Sequence, residues 1–150
     1  MYLKGKRYLS QFNAEDSARA EQIQKLFPEL GDRNGRFGSA LIQEVTIEVG
    51  YWRKANAIHG WFVREVQAGE DDCGSYYLSR ARLGELQDLC QRVLDFKHLA
   101  NELLPNTQGF FFGSQDYDEY YYQDIEHTLE IIERAMSLPD SWDLEYRSSW

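Results

Sequence analysis

The sequence predicts an α+β fold: a single domain, residues 1–150, with a small antiparallel sheet of about three strands and four or so helices packed against it. Three observations predict it. Residues 41–52, LIQEVTIEVGYW, alternate, with Val45, Ile47 and Val49 on one face and Glu44, Thr46 and Glu48 on the other, the pattern of a half-buried strand. Residues 80–96 and 115–137 instead carry apolar side chains every three or four positions, as one-sided helices do. Both ends of the chain, YLKGKRYL and WDLEYRSSW, read as strands, so helices fall in a run between strands and do not alternate with them one for one. A chain of 150 residues is one domain long and can bury a core without disulfides.

Taken in order, residues 2–9 set large apolar side chains among cations and are expected to form an edge strand. Asn13 caps a helix over 14–27, with Asp16 in its first turn and a seam of Ala20, Ile23, Phe27 and Leu30, before Pro28 helps to end it. GDRNGRFGS, residues 31–39, is a glycine-rich loop. After the alternating strand, Gly50 is expected to release the chain into a helix from residue 52 to 66 or 67. GEDDCGS, residues 69–75, is a loop, and Ser79 caps a helix whose stripe is Leu83, Leu86, Leu89 with Cys90, Val93 and Leu94. A turn or short helix around 97–104 ends at Pro105. Ser114 is expected to cap the longest helix, with Tyr121, Ile125, Leu129, Ile132 and Met136 as its seam and Pro139 as its stop. The C-terminal strand must then return to the sheet.

The charge is lopsided. The net of −9 arises almost wholly from residues 115–150, which carry −8, against −1 for residues 1–114. Direct nucleic-acid binding is therefore not expected, since it calls for a basic footprint. An acidic segment suits a partner with a basic surface, or an outer helix face in water. No run approaches the roughly 20 apolar residues of a membrane span, and MYLKGKRYLSQF lacks the apolar core of a secretory signal. The two cysteines, Cys73 and Cys90, do not make a disulfide framework, so a reducing cytosol is the expected setting.

Two constellations carry the candidate sites. In YWRKANAIHGWF, residues 51–62, helical spacing puts Tyr51, Ala55, Ile58 and Phe62 on a core stripe. Trp52, Asn56 and His59 fall on the stripe beside it, with Arg53 next to them. An indole wall, an orienting amide, an imidazole and a guanidinium could receive a small polar, nucleotide-like ligand; equally, Asn56 and His59 could be satisfied core. In YDEYYYQDIE, residues 117–126, Tyr117 and Tyr121 share the inner seam with Ile125. Asp118, Glu119, Tyr120, Tyr122, Asp124 and Glu126 fall outside it, as tyrosines do on protein-binding surfaces. No spacing matches a zinc or HExxH motif, and Cys73 shows no evident activating partner, so no metal, cofactor or nucleophilic centre is expected. GFFFGS, residues 109–114, matches no nucleotide-binding loop and is expected to plug the core.

YWRKANAIHGWF, EDDCGSYYLSR (70–80), LLPNTQGFFFGSQDYDEYYYQD (103–124) and the closing SSW (148–150), in this order, resemble blocks of a family of small phage, prophage and bacterial proteins of unknown function. The resemblance covers roughly residues 41–150, with a weaker likeness at MYLKGKRY, and implies a shared fold and a phage setting in a bacterial cytoplasm but no activity. The leading expectation is a non-enzymatic binder of a basic host protein, acting through the acidic tyrosine-rich segment, with interference in host defence as one form of that role. The alternatives are a small-ligand binder or enzyme with a pocket around the 52–66 helix, and a self-assembling protein using its terminal strands as the contact edge.

Overall fold

The computed structural model describes residues 1–27, 42–107 and 116–149. The expected loop at 31–39, Leu30, the GFFFGS plug, the Ser114 cap and Trp150 lie outside them. The fold is α+β. Among the described residues the strands are β1 (Tyr2–Tyr8), β2 (Glu44–Tyr51), β3 (Ser75–Leu78) and β4 (Asp143–Arg147). The α-helices are α1 (Ala14–Lys25), α2 (Asn56–Glu65), α3 (Arg80–Asp95), α4 (Ala100–Leu103) and α5 (Glu119–Ser137), with a 3₁₀ turn at Lys97–Leu99. The strands form one antiparallel sheet in the order β2-β1-β4-β3.

The chain divides into two compact units, Met1–Gly5 with Glu48–Trp150, and Lys6–Ile47. In the smaller one, Asn13 caps α1 as expected, its side chain accepting from the amides of Glu15 and Asp16. Arg7 Nη2 reaches Asp16 Oδ1 at 3.0 Å. The expected apolar seam of α1 is not a buried one: α1 buries no residue fully, and Phe27 is exposed.

The larger unit holds most of the core. Ser79 caps α3 through the amide of Arg82, and Leu83, Leu86, Cys90 and Val93 are buried. Helix α3 packs on α5, which buries Tyr121, Ile125, Thr128, Ile131, Ile132 and Ala135. Arg80, at the start of α3, donates to the carbonyls of Ala135 (3.2 Å), Leu138 (2.9 Å) and Pro139 (3.0 Å). A cation thus occupies the negative end of the α5 dipole and satisfies carbonyls that the helix leaves open.

Several expectations are corrected. Strand β1 is not an edge: the two terminal strands, β1 and β4, are the central pair, and β2 and β3 are the edges. A contact edge made by the terminal strands is therefore closed off. Residues 75–78, expected as loop and helix lead-in, form β3 instead, paired with β4 in the register Ser75↔Arg147 to Leu78↔Leu144. The longest helix starts at Glu119, capped by Asp118, whose Oδ1 accepts from Tyr121 N at 3.1 Å. Met136 on its expected seam is exposed.

Helix α2 starts at Asn56 rather than 52, so Tyr51 ends β2 as an exposed side chain, and Trp52 and Arg53 lie in the connection before the helix. The reason is local. Trp52 N–H still donates in sheet fashion to Met1 C=O at 2.9 Å, and Lys54 takes a φ of 62°, a left-handed turn incompatible with helix. Gly50 does not release the chain either; it sits inside β2, where a Cβ would lie 2.4 Å from Ile131 Cγ2 on α5. The missing side chain is what lets strand and helix approach.

Gly50→Ala is expected to destabilise the fold by about 1–3 kcal/mol through overpacking. Urea denaturation of Gly50→Ala, Ile131→Ala and the double variant checks the cause. The double variant should be more stable than the sum of the singles predicts, because Ile131→Ala removes the Cγ and Cδ atoms that the added methyl would strike; strict additivity would place the cost elsewhere.

Candidate functional site

Helix α2 is buried over Asn56–Phe62 without a break, so its two polar side chains must find partners inside the protein or carry the cost of having none. His59 finds two. Its side chain is 1% exposed, with Nδ1 2.8 Å from Tyr146 Oη on β4 and Nε2 3.1 Å from Asp71 Oδ2. An ionised carboxylate only accepts, so Nε2–H donates to Asp71, and Nδ1 accepts the proton of Tyr146. Burial holds the imidazole pKa below its ordinary value, against the hydrogen bond and charge of Asp71, which raise it. His59 is thus a neutral structural tie. The ring of Tyr146 stacks on Phe62 at 3.8 Å, and Phe62 meets Trp52 edge-on at 5.7 Å. Trp52 is also core: it is 1% exposed, and its Nε1–H donates to Thr128 Oγ1 at 2.9 Å. Trp52 and His59, expected as ligand-facing, are therefore corrected to scaffold.

Asn56 finds one partner. Its Oδ1 accepts from the backbone N–H of Thr107 at 2.6 Å. That bond fixes which end of the amide is oxygen, and leaves Nδ2 buried with no hydrogen-bond partner among the described residues. Thr107 comes this close because Gly60 has no side chain: a Cβ there would lie 2.0 Å from Thr107 Oγ1.

Asn56 lines a cavity of about 500 Å³. One wall is the connection into α2 and its first turn, with Arg53 and Lys54. The other is the start of α5, with Asp118, Tyr120 and Asp124. Residues expected to serve two separate purposes thus share one site: Arg53 and Asn56 from the aromatic block, and Asp118, Tyr120 and Asp124 from the acidic one. Glu119, Tyr122 and Glu126 do not line it. Glu119 and Glu126 are exposed on α5, and Tyr122 packs under Lys97, whose Nζ lies 4.4 Å from the ring centroid.

Lys54, Asn106, Asp116 and Gln123 also line the cavity and were not anticipated; Lys54 adjoins Arg53 and Asp116 lies two residues before Asp118, while Asn106 and Gln123 had no signal. The first turn of α2 follows Ala55, so no side chain caps it, whereas Asn13, Ser79 and Asp118 cap α1, α3 and α5. Its first-turn N–H groups carry no side-chain cap, and the positive end of its dipole makes this wall favourable to an anion.

Asp124 is the strongest electrostatic feature opposite. Burial pushes its carboxyl up to about 6; His127 lowers it, and Asp118 adds to the rise. Its backbone carbonyl is held by Thr128 Oγ1 at 2.6 Å, the same hydroxyl that receives the Trp52 indole. Carboxyl groups whose ionisation is disfavoured by burial cluster at functional sites. Among the described residues no group of three or more His, Cys, Asp and Glu side chains is placed to hold a metal ion, and no helix is long and apolar enough to cross a membrane.

Two outcomes are expected. The raised pKa of Asp124 favours the folded state fully below its ordinary 3.8, and that contribution is gone once the pH has risen through about 6. Asp124→Asn should therefore be more stable than the parent at pH 7, by on the order of 1 kcal/mol after solvent screening. The difference should vanish near pH 4, as urea midpoints at the two pH values would report. Tyr146→Phe leaves His59 Nδ1 without its donor and should cost about 1–3 kcal/mol in the same assay at pH 7.

No family model, curated protein or solved structure matches the chain, so its function has to be argued from the chemistry of this cavity.

Proposed function

We propose that the protein binds a small polar ligand in the cavity between the first turn of α2 and the start of α5. The observation that carries this reading is the amide of Asn56, a residue of the cavity wall: its oxygen is committed to Thr107, and its buried Nδ2 donor has no partner among the described residues. A buried donor left unmade costs about 1–3 kcal/mol, and a ligand acceptor that the amide turned to meet would recover that cost. A volume of about 500 Å³ lies within the usual range of small-molecule sites. Arg53 and Lys54 on one side and Asp118 and Asp124 on the other supply orienting charge. The reading is of binding rather than catalysis, because the imidazole nearest in sequence, His59, is engaged on both nitrogens.

A second reading, in which the protein holds a basic host protein in a phage setting, is favoured by one observation. Glu119, Glu126, Glu130 and Glu133 are all exposed on α5, and Tyr120 beside them is 77% exposed. In this reading the face would act by charge and would weaken with salt.

Native mass spectrometry of protein purified at low salt from bacterial lysate separates the two. Asn56→Asp is the decisive variant, since a carboxylate still accepts from Thr107 N–H but cannot donate. The parent is expected to carry a small-molecule mass increment that Asn56→Asp lacks. An increment equal in both would remove Asn56 from the site. A stoichiometric protein partner that leaves at high salt would favour the second reading.

A further inference from the structure

Resting on the ligand-binding reading of this cavity, we infer that its ligand is two-ended: an acidic group, phosphate or carboxylate, seats at the start of α2, and a protonated amine or other N–H donor meets Asp118 and Asp124. The charge of the α2 wall is positive: it holds the cations Arg53 and Lys54, the uncapped first turn of α2, and Asn56, whose buried Nδ2 donor has no partner among the described residues. A helix N-terminus with adjacent cations and a free buried donor is an anion seat. The α5 wall offers acceptors. Asp118 uses Oδ1 to cap its own helix, which leaves its other oxygen, and Asp124 presents a desolvated carboxyl.

The two walls do not neutralise each other. Among the described residues neither Arg53 nor Lys54 forms an ion pair, and neither does Asp124. Opposite charges lining one cavity without contact gain most from a molecule that bridges them. A plain anion would leave the carboxylates unanswered and repelled, and a plain cation would do the same to Arg53 and Lys54. Charge on both ends therefore sets specificity as well as affinity.

The test follows the Asn56 side-chain NH₂ signals by ¹⁵N NMR while the protein is titrated with O-phosphoethanolamine, inorganic phosphate and ethylamine. O-phosphoethanolamine is expected to shift them and to bind at least about tenfold tighter than either half, a factor equal to about 1.4 kcal/mol. Asp124→Asn should abolish that advantage while phosphate binds no more weakly than before, and Arg53→Gln should weaken both phosphate probes.

Phosphate binding as tightly as O-phosphoethanolamine would overturn the two-ended ligand and leave ligand binding standing. No shift with any probe would overturn both. Adenosine and guanosine monophosphates, in which base N–H groups replace the ammonium, tell the sources apart. Nucleotide binding that depends on Asp124 assigns the donor to a nucleobase, and nucleotide binding indifferent to Asp124→Asn overturns the proposal.

Discussion

Complete burial of the first two turns of α2 is the constraint on which the rest of this structure turns. A helix with one wet face can leave polar side chains to water; one enclosed from Asn56 to Phe62 cannot. Three segments packed around α2 answer polar groups on it. β4 brings Tyr146 to one side of His59, and the loop before β3 brings Asp71 to the other. The segment after α4 brings the amide of Thr107 to Asn56, through the gap left by Gly60. The sheet, the loop and the α4 connection are thus tied to one helix by directional bonds as well as by area.

That constraint also separates scaffold from site more sharply than residue type does. His59 and Asn56 lie one turn apart on the same helix, and both are buried. The histidine, usually the more suggestive of the two, has both nitrogens hydrogen-bonded inside the core. The amide, usually read as filler, keeps one group unmatched among the described residues, on a residue that lines a cavity. Trp52 shows the same logic: its indole N–H goes to Thr128, whose own hydroxyl hydrogen goes to Asp124 C=O. The aromatic block therefore shapes the cavity from behind, and the residues at its mouth carry the charge.

Much of the fold was legible from the residues. Period-two alternation located β2, and the caps Asn13 and Ser79 located the starts of α1 and α3, because these signals are local and steric. What failed was not local. Four residues, Ser75–Leu78, are too few to show a period, so β3 is defined by its pairing with β4. The late start of α2 depends on a left-handed Lys54, a conformation usually announced by glycine or asparagine. Five of the fourteen residues that line the cavity, Arg53, Asn56, Asp118, Tyr120 and Asp124, were among the candidates, in two separate groups. Their meeting is a consequence of α2 packing on α5, and no spacing along the chain encodes it.

The placement of β1 and β4 side by side in the middle of the sheet has a kinetic consequence. Their pairing joins residues 2–8 to residues 143–147, so the sheet cannot close until nearly the whole described chain has been made. Loop closure over such a span is slow, and contacts of this range lower folding rates. During synthesis, α3 can form early from local contacts while β1 waits as an unpaired strand. The central pair that finally buries it is also the last to assemble, so the ribosome must release β4 before the molecule has a complete core.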